Sequence, residues 1–158
     1  MSNERKVPQV RTELERLMQS AEGVEDIDSL LGIVHETGQQ LIHLQWLEQQ
    51  MLPLITDAKS KFNEAKEALS VSEDREALGL INTGTSIGKA EKMARLSHSE
   101  HRKSLNKIQE ARNRYEDEHR DLRGFRDVVE GCKMTLHQKI KSLMDEYRST
   151  PYQKNREE

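Results

Sequence analysis

Two long heptad tracts, separated by one glycine-rich break, constrain this chain more than any motif in it. In the first tract Ile27, Val34, Leu41, Glu48, Ile55, Phe62 and Leu69 form one column, with Leu30, Thr37, Leu44, Met51, Ala58 and Ala65 as its partner. Only Glu48 and Thr37 interrupt the apolar seam. In the second tract the column is Ile87, Ala94, His101, Ile108, Tyr115, Leu122, Val129, Leu136 and Leu143. Its partner is weaker: Ala90, Ser97, Ser104, Ala111, Glu118, Phe125, Cys132 and Lys139. Repeats sustained over about six to nine heptads argue for two long helices. Such helices leave no room for an ordinary buried active site, so they bind, space or assemble.

The breaks between tracts set the expected order. Residues 1–8 and 150–158 read as disordered tails around a single helical domain spanning 1–158. Residues 8–20 predict a short helix with Val10, Leu14, Leu17 and Met18 on one side. Gly23 and the acidic run Glu25-Asp26-Ile27-Asp28-Ser29 break and recap the chain, with negative charge where a helix N-terminus favours it. The first long helix is expected over 29–69, weakened early by Gly32 and Gly38 and kinked by Pro53, which removes one backbone bond. Residues 70–86 form the hairpin turn region. Ser70-Val-Ser-Glu73 resembles a capping box for a short helix ending at Gly79, and Thr85 or Ser86 caps the second long helix. That helix should continue unbroken to about Arg148, before Ser149-Thr150-Pro151. The fold class that follows is all-α: a long antiparallel helical hairpin of coiled-coil type with a short N-terminal helix. Folding back near residue 78 would set Leu69 near Ile87, Phe62 near Ala94, Ile55 near His101 and Leu41 near Tyr115.

A two-helix hairpin does not bury all that the sequence offers. Ile42, Trp46, Leu47, Leu52 and Leu54 lie off the main seam, and a helix apolar nearly all round has more than one partner surface. These five residues are the expected oligomer interface. Glu48, a charge in a core column, suits a register-fixing role better than chemistry.

Composition narrows the setting. Of 158 residues, 34% are charged and only 4% aromatic, which suits extended helices better than a compact globule. Cys132 is the one cysteine, so a disulfide framework or cysteine-rich zinc site is not expected, and a reducing cytoplasm is the natural home. The opening residues lead into no apolar run, so no signal peptide is expected, and no apolar stretch has the length of a membrane span. The net charge of −3 hides an asymmetry. Residues 1–86 hold 8 Lys/Arg against 15 Asp/Glu, whereas residues 88–114 hold 8 against 3. A local basic stretch on an acidic chain fits an anionic partner; it fits equally a solvated face that pairs with the acidic first tract of a neighbour.

No motif reads as an enzyme's. Gly84-Thr-Ser-Ile-Gly88-Lys89-Ala90 has three residues between its glycines where a phosphate loop has four, and Ala90 stands where Ser or Thr would ligate magnesium. A flexible turn with a helix start describes it better. Glu116-Asp-Glu-His119 has the Glu-x-x-His spacing of di-iron bundles, but those need two such motifs. His98 and His101 share a helix side without an obvious third ligand, and His101 falls in the core column. No nucleophile setting is visible, and no cofactor is implied. The stronger constellation is basic. On a continuous helix Lys92, Arg95, Ser99, Arg102, Lys103 and Asn106 fall within an arc of about 100°, away from the seam, with Lys89 at its loop end. Such a stripe suits a sugar-phosphate backbone. Trp46 and His43 fall on the outer side of the first helix, where an exposed Trp stacks on bases or packs in an interface.

The strings Thr-Ser-Ile-Gly-Lys-Ala-Glu-Lys-Met-Ala-Arg-Leu-Ser (85–97) and His-Arg-Lys-Ser-Leu (101–105) lead into a long helix that closes at Leu136 through Met144-Asp-Glu-Tyr-Arg148. Through them residues 85–149 resemble small helical phage proteins related to the UvsY-like recombination mediators. The first tract, with Trp46-Leu-Glu-Gln-Gln-Met, resembles the other arm of that family's hairpin. The resemblance implies a homo-oligomeric ring in the cytoplasm of a bacterial host cell. It implies binding of single-stranded DNA, displacement of single-strand-binding protein and loading of a RecA-type recombinase. Its DNA contacts would be Lys89, Lys92, Arg95, Arg102 and Lys103. The rival expectation is a structural or adaptor coiled coil (a stalk, chaperone or virion-assembly protein) that does not bind nucleic acid.

Overall fold

The computed structural model describes the backbone of residues 3–154 and the side chains of residues 7–149. The fold is all-α, a long helical hairpin preceded by a shorter helix. Its elements are α1 (Asn3–Ala21), α2 (Ile27–Asn82), α3 (Ile87–Ser97) and α4 (Ser99–Lys154). Helix α1 takes in residues 3–8, and α4 continues through residues 150–154, where disordered tails were expected. The rest of those expected tails, residues 1–2 and 155–158, lies outside the described residues. No described helix is long and apolar enough to cross a membrane. The described residues fall into two compact units, one formed by the chain up to Gln50 and again from Arg120, the other by Met51–His119.

The first unit joins α1, the first part of α2 and the last part of α4. Helix α1 buries Val10, Leu14, Leu17 and Ala21, spaced three and four apart as one helical face requires. It ends at Gly23, whose φ of 75° is the left-handed conformation that glycine adopts without strain. Asp26 then caps α2: its Oδ2 accepts the Ser29 backbone N–H at 2.9 Å and the Ser29 hydroxyl at 2.6 Å. These bonds hold the Asp26 carboxyl below the usual carboxylate range. The expected recapping at 25–29 is therefore present, two residues earlier than the expected helix start. Along α2 the buried face is Leu30, Val34, Thr37, Leu41, Leu44, Leu47 and Glu48, and along α4 it is Leu122, Val129 and Ile140.

Polar contacts tie these three helices to one another. Arg11 lies over the Phe125 ring at 4.6 Å, joining α1 to α4. Arg16 reaches Glu36 at 3.8 Å, joining α1 to α2. Lys139 donates to the Val24 carbonyl at 2.6 Å. Inside the seam, Arg126 donates to Glu48, whose side chain is 10% exposed. A carboxylate this buried requires a charged partner, and Arg126 is that partner.

The second unit is where the expected hairpin geometry fails. Helix α2 runs unbroken through Pro53 and residues 70–82, and the turn occupies residues 83–86 instead of the expected 70–86. The capping box at Ser70 is not used, because the Glu73 carboxylate pairs with Arg102 on α4. Gly79 alone costs a helix only about 1 kcal/mol, too little to end one with partners on both sides. Termination waits for Gly84, at φ 96°. There the Thr85 N–H bonds the Leu80 carbonyl and the Gly84 N–H bonds that of Ile81, a Schellman cap. The register moves accordingly. Phe62 meets Arg112, whose guanidinium lies 5.1 Å from the ring centre, and not Ala94, about five helical turns earlier. Lys59 pairs with Glu116 at 3.2 Å. The second long helix is also interrupted. His98 leaves helical geometry at φ −99° and ψ 20° and ends α3, its N–H bonded to the Ala94 carbonyl. His101 and Ile87, expected in the core column, are exposed. Buried positions near the turn are alanines, Ala77, Ala90 and Ala94.

Two outcomes test this packing. Leu44→Ala, at a fully buried site, lowers unfolding free energy by about 2–5 kcal/mol. Ile42→Ala, two residues away and 69% exposed, lowers it by under about 1 kcal/mol; urea denaturation of both variants reads the difference. The second outcome concerns acid. A hydrogen bond from Lys59, with its charge and that of Arg112, holds the Glu116 carboxyl below its ordinary value. A depressed carboxylate stabilises the fold above its unfolded value, near 4.5, and that contribution disappears as pH falls through the lowered folded value. Glu116→Gln therefore lowers the urea midpoint at neutral pH and flattens its decline below the ordinary glutamate range; parallel curves for variant and wild type would contradict the pairing.

Candidate nucleic-acid interface

Helix α3 presents three cations on one side. Ala90 and Ala94 are its buried residues, and at 100° per residue Lys89, Lys92 and Arg95 project on the opposite side. Gly88 and the exposed Leu96 lie among them. All three cations are exposed, and none has an ionic or hydrogen-bonding partner among the described residues. The turn before α3, residues 83–86, is polar and largely exposed. Ser86 is the N-cap residue of α3, but its side chain makes no capping hydrogen bond.

The other two expected contacts are placed differently. Arg102 is turned onto α2, where Nε and a terminal nitrogen each donate to a Glu73 oxygen at 2.7 Å. Glu73 is the more buried member, with its side chain 15% exposed, so this bidentate pair is a structural contact. Lys103 points outward and pairs with Glu100 at 3.2 Å on the helix surface, a contact of little energetic weight. The continuous arc expected from Lys92 to Asn106 does not exist, because His98 interrupts the helix. The structure brings together Lys89, Lys92 and Arg95, and separates Arg102 from them by its ion pair.

A polar network missed in the sequence lies at this interruption. Ser97 donates its hydroxyl to Glu76 Oε2 at 2.7 Å. His98 Nε2 is also 2.7 Å from that oxygen, at an angle poor for a hydrogen bond. On its other side His98 Nδ1 faces His101 Nδ1 at 3.3 Å. The i, i+3 spacing of the histidines was visible; the contribution of Glu76 from α2 depends on a register that heptads did not reveal. The Glu116-x-x-His119 motif does not present a free carboxylate, since Lys59 and Arg112 both approach Glu116.

The expected oligomer interface divides. Ile42, Trp46, Leu52 and Leu54 are exposed on α2, but Leu47 is 1% exposed. It belongs to the first unit's own core, because the face of α2 toward α1 and α4 is wider than a strict two-column seam. The Trp46 and His43 rings lie 6.2 Å apart on the outer side of α2. Beside them, also within the first unit, a groove of about 830 Å³ opens between α2 and α4, with Leu31, Ile42 and Met134 among its lining residues.

Compared with known protein families, with characterised proteins and with solved structures, the chain matches none.

Proposed function

We propose that this protein is a non-enzymatic, homo-oligomeric accessory that binds single-stranded DNA and helps load a RecA-type recombinase in place of single-strand-binding protein. The observation that carries the DNA reading is the outer face of α3. Lys89, Lys92 and Arg95 stand there without acidic partners, opposite the buried Ala90 and Ala94. An array of unpaired cations on an acidic chain attracts a polyanion, and each phosphate it neutralises releases a counterion. The recombinase role rests on the resemblance of residues 85–149 to the UvsY-like mediators. One face with three cations binds weakly, so useful affinity comes from several copies engaging one strand. Little sequence preference is expected, since the face offers charge and no base-reading module.

A structural or assembly role is the second reading, and a different observation favours it. Ile42, Trp46, Leu52 and Leu54 leave large apolar side chains exposed along α2. Exposed apolar surface of this kind marks contacts with other proteins. In that reading α3 serves a protein partner and DNA plays no part.

Anisotropy of a fluorescent oligo-dT strand, titrated at low and physiological salt beside a duplex control, separates the two. The mediator reading expects salt-dependent binding that favours the single strand. Replacing Lys89, Lys92 and Arg95 together by Ala should lower the slope of log affinity against log salt by about 2, at roughly 0.7 per lost contact. Arg102→Ala, by contrast, should leave DNA affinity close to wild type and cost up to about 1 kcal/mol of stability through its half-exposed pair with Glu73. Undiminished binding by the triple variant would remove the α3 face from the account; no binding by wild type at low salt would leave the assembly reading.

A further inference from the structure

We propose, resting on the reading of α3 as a DNA-binding face, that the exposed Met93 and Leu96 contact unstacked bases and so give that face its preference for single strands. Lys89, Lys92 and Arg95 recur every third residue and form one oblique ridge on α3. The neighbouring ridge, one residue on, is Ala90, Met93 and Leu96. It rises out of the core: Ala90 is 0% exposed, Met93 43% and Leu96 66%. A charged ridge and an apolar ridge therefore run side by side. Lys89 and Met93, like Lys92 and Leu96, stand four residues apart, which makes them neighbours on a helix surface at about 5–6 Å between Cβ atoms. The ridge on the other side of the cations is Gly88, Glu91 and Ala94, so the one acidic residue of α3 lies away from the apolar ridge.

A ligand that matches this face carries a row of negative charge beside a row of apolar surface. A single strand of nucleic acid has both, since its phosphates follow one edge and its unpaired bases present apolar faces along the other. In a duplex those faces are stacked away, so a duplex meets the cations alone. A strand that has lost its bases does the same. Attraction to phosphate thus comes from Lys89, Lys92 and Arg95, and discrimination between forms of nucleic acid comes from Met93 and Leu96. Covering these two exposed side chains removes apolar surface from water, which is favourable. Contact of this kind is indifferent to base identity, because every base has such a face. The apolar ridge therefore adds single-strand preference without adding sequence preference.

Anisotropy titrations at low salt, with labelled oligo-dT and with an abasic strand of the same number of phosphates, test this on the full-length chain. Wild type should bind oligo-dT about tenfold more tightly than the abasic strand, as partial burial of two aliphatic side chains allows. The double variant Met93→Ser/Leu96→Ser should bind both strands as wild type binds the abasic one. Its salt slope should stay at the wild-type value, because no cation is lost. Both substitutions fall at exposed positions, so helicity should be unchanged. Wild type that binds the two strands equally, or a variant that holds oligo-dT as tightly as wild type, would overturn the role of Met93 and Leu96 and leave the DNA reading standing. Absence of wild-type binding to either strand would overturn both.

Discussion

Register is the constraint on which this fold depends. Two helices matched by heptads can slide past one another by whole turns and still bury apolar columns, because each shift presents much the same face. What distinguishes one alignment from the next is polar. In the first unit the seam holds Glu48, and only a register that brings a cation to it avoids an unpaired buried charge. Arg126 meets that requirement. In the second unit Phe62 lies under Arg112 and Glu73 is clamped by Arg102. A slide of a turn would leave the buried Glu48 without its cation, a larger penalty than the loss of a few methyl contacts. Apolar columns bring the helices together; the charges embedded in the columns decide where they stop.

The same pairing accounts for the uneven fate of the basic residues. The acidic first arm and basic second arm fold back on one another, so opposite charges are available along the seam. Arg102 and Arg126 are drawn onto glutamates of α2, and in the reverse sense Lys59 reaches Glu116. Helix α3 escapes this. Its buried side is made of Ala90 and Ala94, and the lysines and the arginine lie on the opposite, exposed side.

Much of this was legible in the residues. The heptads gave two long helices, the Glu25–Ser29 run gave the cap at Asp26, and Val10, Leu14 and Leu17 gave the buried face of α1. Glu48 was recognisable as a charge in a core column. What was not legible depended on partners distant in sequence. The capping box at Ser70 is locally sound, yet Glu73 is claimed by a residue 29 positions away, and a local rule cannot register that competition. The expected register paired Phe62 with Ala94, an error of about five turns, and a shift of whole turns is the one error that apolar periodicity cannot detect. The interruption at His98 was hidden likewise. Nothing local to Ser97-His98-Ser99 breaks a helix strongly, while Glu76 on α2 approaches both Ser97 and His98 once the register is set.

Reading a charged surface therefore requires subtraction. Residues 88–114 hold eight basic side chains, and a count alone treats them as equivalent. Once the chain is folded, Arg102 is paired with Glu73, Arg112 lies over an aromatic ring, and Lys103 has a surface partner. A cation already held in a bidentate pair contributes less to an external phosphate, because engaging the new partner means abandoning the old one. Only the remainder is available for recognition, and on α3 that remainder is Lys89, Lys92 and Arg95. In the proposed reading, what a polyanion meets is therefore not the basic charge of the second arm as a whole but the cations that the first arm leaves unclaimed.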